Sequence, residues 1–160
     1  MTIRASAKAV IVKDDKILLQ CCRDDEVNLD YYELPGGGQK PMENMEDAVK
    51  RECLEETGLH IKVIRFFALT EEKITIDSVC RNYPDHAHRI FHIFLCEIED
   101  VPAEAHSEED THQVNVRWFP INEVPNLRLR PTNLRNSLIP LLESGKIGYL
   151  GASILDSFDK

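Results

Sequence analysis

The chain has no apolar run near the roughly 18 residues that a membrane-crossing helix requires. It has no excess of basic residues: 19 Lys and Arg stand against 28 Asp and Glu, for a formal charge of −9. That balance argues against a nucleic-acid polymer or an anionic membrane as partner, since both need a basic surface. A small phosphorylated ligand stays compatible, because divalent cations can stand between carboxylates and phosphates. No CxxC pair occurs, and the five cysteines (Cys21, Cys22, Cys53, Cys80, Cys96) are odd in number. Neither a disulfide framework nor a zinc site is suggested. Free thiols fit a reducing cytoplasm, which is the expected location. No signal-peptide core is expected either, because Ala9-Val10-Ile11-Val12 stops at Lys13-Asp14-Asp15. Repeats, low-complexity tracts and Gly/Ser/Pro-rich linkers are also missing. The expectation is one domain over residues 1–160, and that length suffices for a core without staples.

What is present mixes strands and helices. Ala7 to Val12 and Ile17 to Cys22 flank Lys13-Asp14-Asp15-Lys16 and predict a hairpin. Three glycines, Gly36 to Gly38, follow a short aromatic segment and allow close backbone approach. Residues 44–57 predict a helix with Asn44 as N-cap and Gly58 as left-handed C-cap. Strands are expected over Leu59 to Leu69, His88 to Ile98 and Val114 to Phe119. Residues 97–110 hold seven acidic side chains with no Lys or Arg, and predict a loop. In Leu127-Arg128-Leu129-Arg130 the two arginines share one side if that stretch is extended. Thr132 is a candidate cap for a last helix, which Pro140 should distort. The element order points to an α/β or α+β domain rather than a doubly wound sheet.

The stretch Arg51-Glu52-Cys53-Leu54-Glu55-Glu56-Thr57-Gly58 carries the chemistry. At about 100° per residue, Glu52, Glu55 and Glu56 fall within roughly 100° of arc. Met45, Ala48, Val49 and Cys53 fall on or beside that face. If the apolar members pack inward, the carboxylates follow them. Burial and mutual repulsion then raise their pKa values unless a cation compensates. A hard divalent cation is the economical solution. A Gly-rich loop just upstream adds backbone groups, and phosphoanhydride cleavage needs that combination. The plain alternative is a solvated acidic helix face with Arg51–Glu55 as a surface pair.

The pattern from Gly37 is five residues to Glu43, seven more to Arg51-Glu52-Cys53, then Glu55-Glu56 and Gly58-Leu59. This resembles the Nudix box, the signature of the Nudix hydrolases. Its one departure is Cys53, where the family usually has a larger aliphatic residue. The resemblance implies an α/β/α sandwich with a mixed β-sheet. It implies a Mg²⁺- or Mn²⁺-dependent pyrophosphohydrolase, cleaving the anhydride of a nucleoside diphosphate linked to another group. Glu52, Glu55 and Glu56 then look like metal ligands, joined by the Gly36 carbonyl. Arg51 and Glu43, with Gly37 and Gly38, look like their support, and Glu52 is one candidate general base. Other members use a Glu outside the box, for which Glu104, Glu108, Glu109 and Asp110 are the candidates here.

Substrate contacts are assigned to Arg23, Tyr32 and Arg130, with Tyr31–Tyr32 as the stacking candidate. His86, His88 and His92 are weighed as a metal pair on a strand and read instead as polar strand residues. The resemblance implies a substrate of the nucleoside triphosphate, ADP-ribose or nucleotide-sugar class, with dinucleoside polyphosphates less common. ADP-ribose members often carry a proline about sixteen residues after the box, and Glu71 to Ile76 contains none. Dimers are common in the family. The alternative function is a non-catalytic nucleotide-sensing module, whose box carboxylates are usually lost; here all are present.

Overall fold

The computed structural model describes residues 2–24, 26–100 and 115–158. Its first two strands, β1 (Arg4–Lys13) and β2 (Lys16–Asp24), form the expected hairpin. Asp14 and Asp15 both take positive φ, 51° and 56°. That is the two-residue turn whose twist suits antiparallel strands. The chain continues through β3 (Leu29–Glu33), β4 (Gly36–Gly38), α1 (Met45–Thr57) and β5 (Ile61–Ile74). Next come α2 (Asp77–Asn82), β6 (His88–Ile98), β7 (Val116–Pro120), β8 (Leu129–Arg130), α3 (Leu134–Ser144) and β9 (Gly148–Leu155). The main strand order is β8-β3-β2-β1-β6-β5-β9, with β4 added on β1 and β7 on β2. The sheet is mixed: β1 runs parallel to β6 and antiparallel to β2 and β4.

Both faces of this sheet are covered, and the side-chain alternation shows it. Val10, Ile17, Leu19, Phe67 and Ile93 join Leu134 and Leu138 of α3 in one core. Their strand neighbours Ile11, Leu18, Phe66 and Phe94 face the other way, into a core with Ala48, Val49 and Cys53 of α1. Neighbouring residues on a strand point to opposite faces, so a continuous apolar run serves two layers at once. Cys53 is fully buried there, where a larger aliphatic side chain was the family expectation. No helix among the described residues is long and apolar enough to cross a membrane.

Several boundaries differ from expectation. Strand β5 runs on to Ile74, through Glu71, Glu72 and Lys73. These polar residues continue the ladder because β6 and β9 pair with them on both sides. Asn133, not Thr132, precedes α3, and the helix continues through Pro140. The acidic candidates Glu104, Glu108, Glu109 and Asp110 lie outside the described residues.

Two glycines give a contrast that can be measured. Gly36 has φ 124°, and a Cβ there would collide with the Ala7 carbonyl. Gly58 has φ 71° with open space around it. Gly58→Ala should cost about 1–2 kcal/mol, the left-handed penalty alone. Gly36→Ala should cost clearly more, because steric overlap adds to an unfavourable φ. Urea unfolding of the two variants compares them, and equal losses would contradict the packing described for β4.

Candidate active site

Strand β4 lies antiparallel on β1, with Gly38 opposite Ser6 and Gly36 opposite Lys8. Helix α1 packs across it, and glycine is required because side chains from two other elements fill the space. A Cβ on Gly37 would overlap the Glu52 carboxylate, and one on Gly38 would overlap the Arg4 guanidinium. The helix and strand are stitched by hydrogen bonds. The Gly36 N–H donates to Glu56 Oε2 at 2.8 Å. Arg51 Nη2 donates to the Gly38 carbonyl at 3.0 Å.

Arg51 is the hub. Its Nε and Nη2 hold Glu43 at 2.7 and 2.9 Å, and its Nη1 reaches Glu52 at 2.7 Å and Glu55 at 3.3 Å. Glu43 also accepts from the Lys40 backbone N–H at 2.8 Å. These bonds, first those of Arg51, hold the Glu43 carboxyl down at about 2. Glu43 thus fixes the guanidinium, and the guanidinium fixes Glu52 and the end of the glycine strand.

Glu56 is in the opposite situation. Burial is the main cause that pushes its pKa up, and nearby Glu52 adds to it, while Lys8 and the Gly36 N–H oppose. Lys8 is 7% exposed. Its Nζ donates to the Gly36 carbonyl at 2.6 Å and to Glu33 Oε2 at 3.2 Å. Arg89 meets the other Glu33 oxygen at 3.3 Å and Glu72 at 2.5 Å. Burial would raise Glu33, but Arg89 and Lys8 outweigh it and hold the carboxyl at about 2.

The donor set fits a hard divalent cation: three carboxylates and a carbonyl, all oxygen, with one carboxylate short of positive charge. Glu52, Glu55, Glu56 and the Gly36 carbonyl are the groups that would hold it. They do not converge as they stand. Among the described residues no group of three or more His, Cys, Asp or Glu side chains is gathered to hold an ion. The reason is local: Arg51 engages Glu52 and Glu55, the Gly36 N–H engages Glu56, and Lys8 occupies the Gly36 carbonyl. Glu55 is also half exposed.

Two cavities adjoin this frame. One of about 590 Å³ is lined by Arg4, Gly38, Gln39, Lys40 and Glu52, with Thr2 and Asp85 on its rim. A second of about 410 Å³ is lined by Arg23, Tyr31, Glu33, Tyr83, Arg89 and Arg130, among others. His86 lies where they approach: burial, then Arg4 and Arg89, lower its pKa.

Arg23 and Arg130 line this second cavity, but Tyr32 does not. Tyr32 turns to the opposite face of β3 and packs edge-on against Phe119, with ring centroids 4.9 Å apart. Its neighbour Tyr31 lines the cavity instead, with one ring face already covered by the Arg130 guanidinium at 4.1 Å. Arg128 and Arg130 do share a side, since both donate to the Phe158 carbonyl. The histidines form no metal pair: His86 sits in a 3-10 turn before β6, and His88 Nε2 contacts Glu71 at 3.1 Å. Lys8, Glu33, Arg89 and Arg4 went unassigned from sequence. Only Lys8 carried a signal, a charge inside the apolar run Ala7 to Val12.

Residues 2–142 match the NUDIX domain model. The chain belongs to the NUDIX family. Among curated NUDIX relatives, an 8-oxo-dGTP diphosphatase of Buchnera aphidicola is 43% identical over 58 residues, 36% of this chain and 45% of that protein. The chain spans less than half the length of each curated relative it matches. A MutT protein of Bacillus halodurans superposes with TM-score 0.66 at 18% identity, covering 96% of this chain and 90% of the other. A NUDIX hydrolase of Nitrosomonas europaea gives TM-score 0.64 at 20% identity, over 91% of both chains. The NUDIX fold thus accounts for the mixed sheet covered by helices on both faces.

The opposed pKa shifts predict two pH dependences of stability. Glu33 and Glu43 have lowered values, so their contribution is present above about 4.5 and is lost as pH falls toward about 2. Glu56 has a raised value, so the folded state loses stability as pH rises from 4.5 through its folded pKa. Glu56→Gln in EDTA should therefore gain stability relative to the parent at pH 8 and not at pH 4. Denaturant midpoints at the two pH values check this.

Proposed function

We propose that this chain is a divalent-metal-dependent pyrophosphohydrolase. Its substrate would be a nucleoside diphosphate joined to another group, of the nucleoside triphosphate, ADP-ribose or nucleotide-sugar class. The observation that carries the reading is the Glu52–Glu55–Glu56 face of α1, clamped by Arg51 and Glu43 against Gly36–Gly38 beside an open cleft. Family membership supports it, as do relatives named 8-oxo-dGTP diphosphatase and RNA pyrophosphohydrolase.

A bound Mg²⁺ or Mn²⁺ would neutralise phosphate oxygens and lower the pKa of water at this place. The chain's own part is to bind and orient. Glu52 lies on the cleft wall with Arg51 on one carboxylate oxygen, which leaves the other free to accept a proton as general base. Arg51 keeps that carboxylate in one orientation, and Glu43 keeps Arg51 in place. The second cavity offers Arg23, Arg130 and Tyr83 to the remainder of the substrate. Tyr31 is not an open stacking surface on the side that Arg130 covers.

Turnover should be read on a panel of ADP-ribose, nucleotide sugars, standard and oxidised dNTPs and diadenosine polyphosphates, each with Mg²⁺, Mn²⁺ or EDTA. One class should turn over, and only with metal. Glu52→Gln and Glu56→Gln should each lower kcat by orders of magnitude, and rates should rise into the alkaline range. Ligand-induced melting shifts without turnover under any metal would instead support the nucleotide-sensing module.

A further inference from the structure

A polyanionic substrate entering the cleft needs a cation that is not already committed. Arg51 is not available, because Glu43, Glu52, Glu55 and the Gly38 carbonyl take its nitrogens. Lys8 is buried between Glu33 and the Gly36 carbonyl. Arg89 is held between Glu33 and Glu72. In a chain of net charge −9, that leaves few cations near Glu52.

Arg4 is the exception. It is the first residue of β1 and stands opposite Arg89 in the parallel register with β6. Its guanidinium lies flat enough against Gly38 that a Cβ there would strike Nη2, Cζ and Nε together. The adjacent glycine, Gly37, is pressed in the same way by the Glu52 carboxylate. Successive strand residues point to opposite faces, so the guanidinium and the site carboxylate flank β4 from its two sides and meet only where the cavity opens at the strand's end. Both line the 590 Å³ cavity. Among the described residues the Arg4 side chain, unlike its ladder-paired backbone, takes part in no hydrogen bond and no ion pair. The one other carboxylate on the rim, Asp85, accepts from the Thr2 hydroxyl at 2.8 Å. The Lys40 side chain lines the same wall and adds a second, solvated positive charge.

We propose that Arg4 holds the phosphate chain of the substrate in this cleft. The guanidinium fork matches phosphate oxygens two at a time, which an ammonium does not. Gly38 is then needed as glycine so that the fork can lie over the strand. The role deepens the pyrophosphohydrolase reading and rests on it. Arg4 touches substrate and is not assigned a proton-transfer step.

The test uses Arg4→Ala and Arg4→Lys in the full chain. With the substrate class that turns over, Arg4→Ala should raise KM about ten- to a hundredfold, the loss of a charge-assisted bond, and lower kcat less. Arg4→Lys should recover only part of the loss. With Mg²⁺ present, inorganic pyrophosphate should raise the melting temperature of the parent and much less that of Arg4→Ala. Melting temperatures without ligand should stay close to the parent, since no bond within the described residues is lost. The proposal is overturned if KM and the pyrophosphate shift survive in Arg4→Ala, or if pyrophosphate does not shift the parent. Should no substrate turn over while the pyrophosphate shift depends on Arg4, the hydrolase reading fails and the Arg4 assignment stands.

Discussion

The backbone of Gly36 is held from both sides, and the geometry of the candidate site depends on that grip. Its N–H is taken by Glu56 of α1 and its carbonyl by Lys8 of β1. The two peptide groups flanking Gly36 therefore tie the helix that carries the carboxylates to the strand at the centre of the sheet. A residue with a side chain cannot stand there, because φ is 124° and β1 lies directly behind it. The rest of the glycine strand follows the same logic, with Glu52 and Arg4 filling the volume that side chains at Gly37 and Gly38 would need.

Charge in the interior is arranged in pairs, not scattered. Burying a lone carboxylate costs several kcal/mol, so a buried charge persists only with partners. Glu72 is fully buried and Glu33 nearly so, and Arg89 bridges them. Lys8 continues this line from Glu33 to the Gly36 carbonyl. This buried ionic row runs from the Gly36 carbonyl beside α1 to Glu33 and Arg89, which line the Arg23–Arg130 cavity. Burial pushes the Glu56 pKa up, and Lys8 and the Gly36 N–H oppose it.

The hairpin, the carboxylate helix with its Gly58 cap and the β6 strand were legible because each has a local signal: turn residues, a 3.6-residue period or a β-branched run. The extension of β5 was not. Glu71-Glu72-Lys73 looks like the end of a strand until Arg89, seventeen positions on from Glu72, comes to lie beside it. Tyr31 and Tyr32 show a related limit. Strand alternation puts them on opposite faces, but only the packing of Phe119 and Arg130 says which face is core and which is cavity.

The sequence by itself determined the family, the carboxylate set and the Arg51–Glu43 support, because all of these lie within one short motif of fixed spacing. Tertiary structure alone decided which cations are paired with carboxylates: Lys8 with Glu33, Arg89 with Glu33 and Glu72. Lys8, Arg89 and Arg4 are far from the motif along the chain; the antiparallel pairing of β4 with β1 brings Lys8 and Arg4 to it, and the parallel pairing of β1 with β6 adds Arg89. No local pattern encodes that pairing, since its free energy comes from two cores assembled on opposite faces of the sheet.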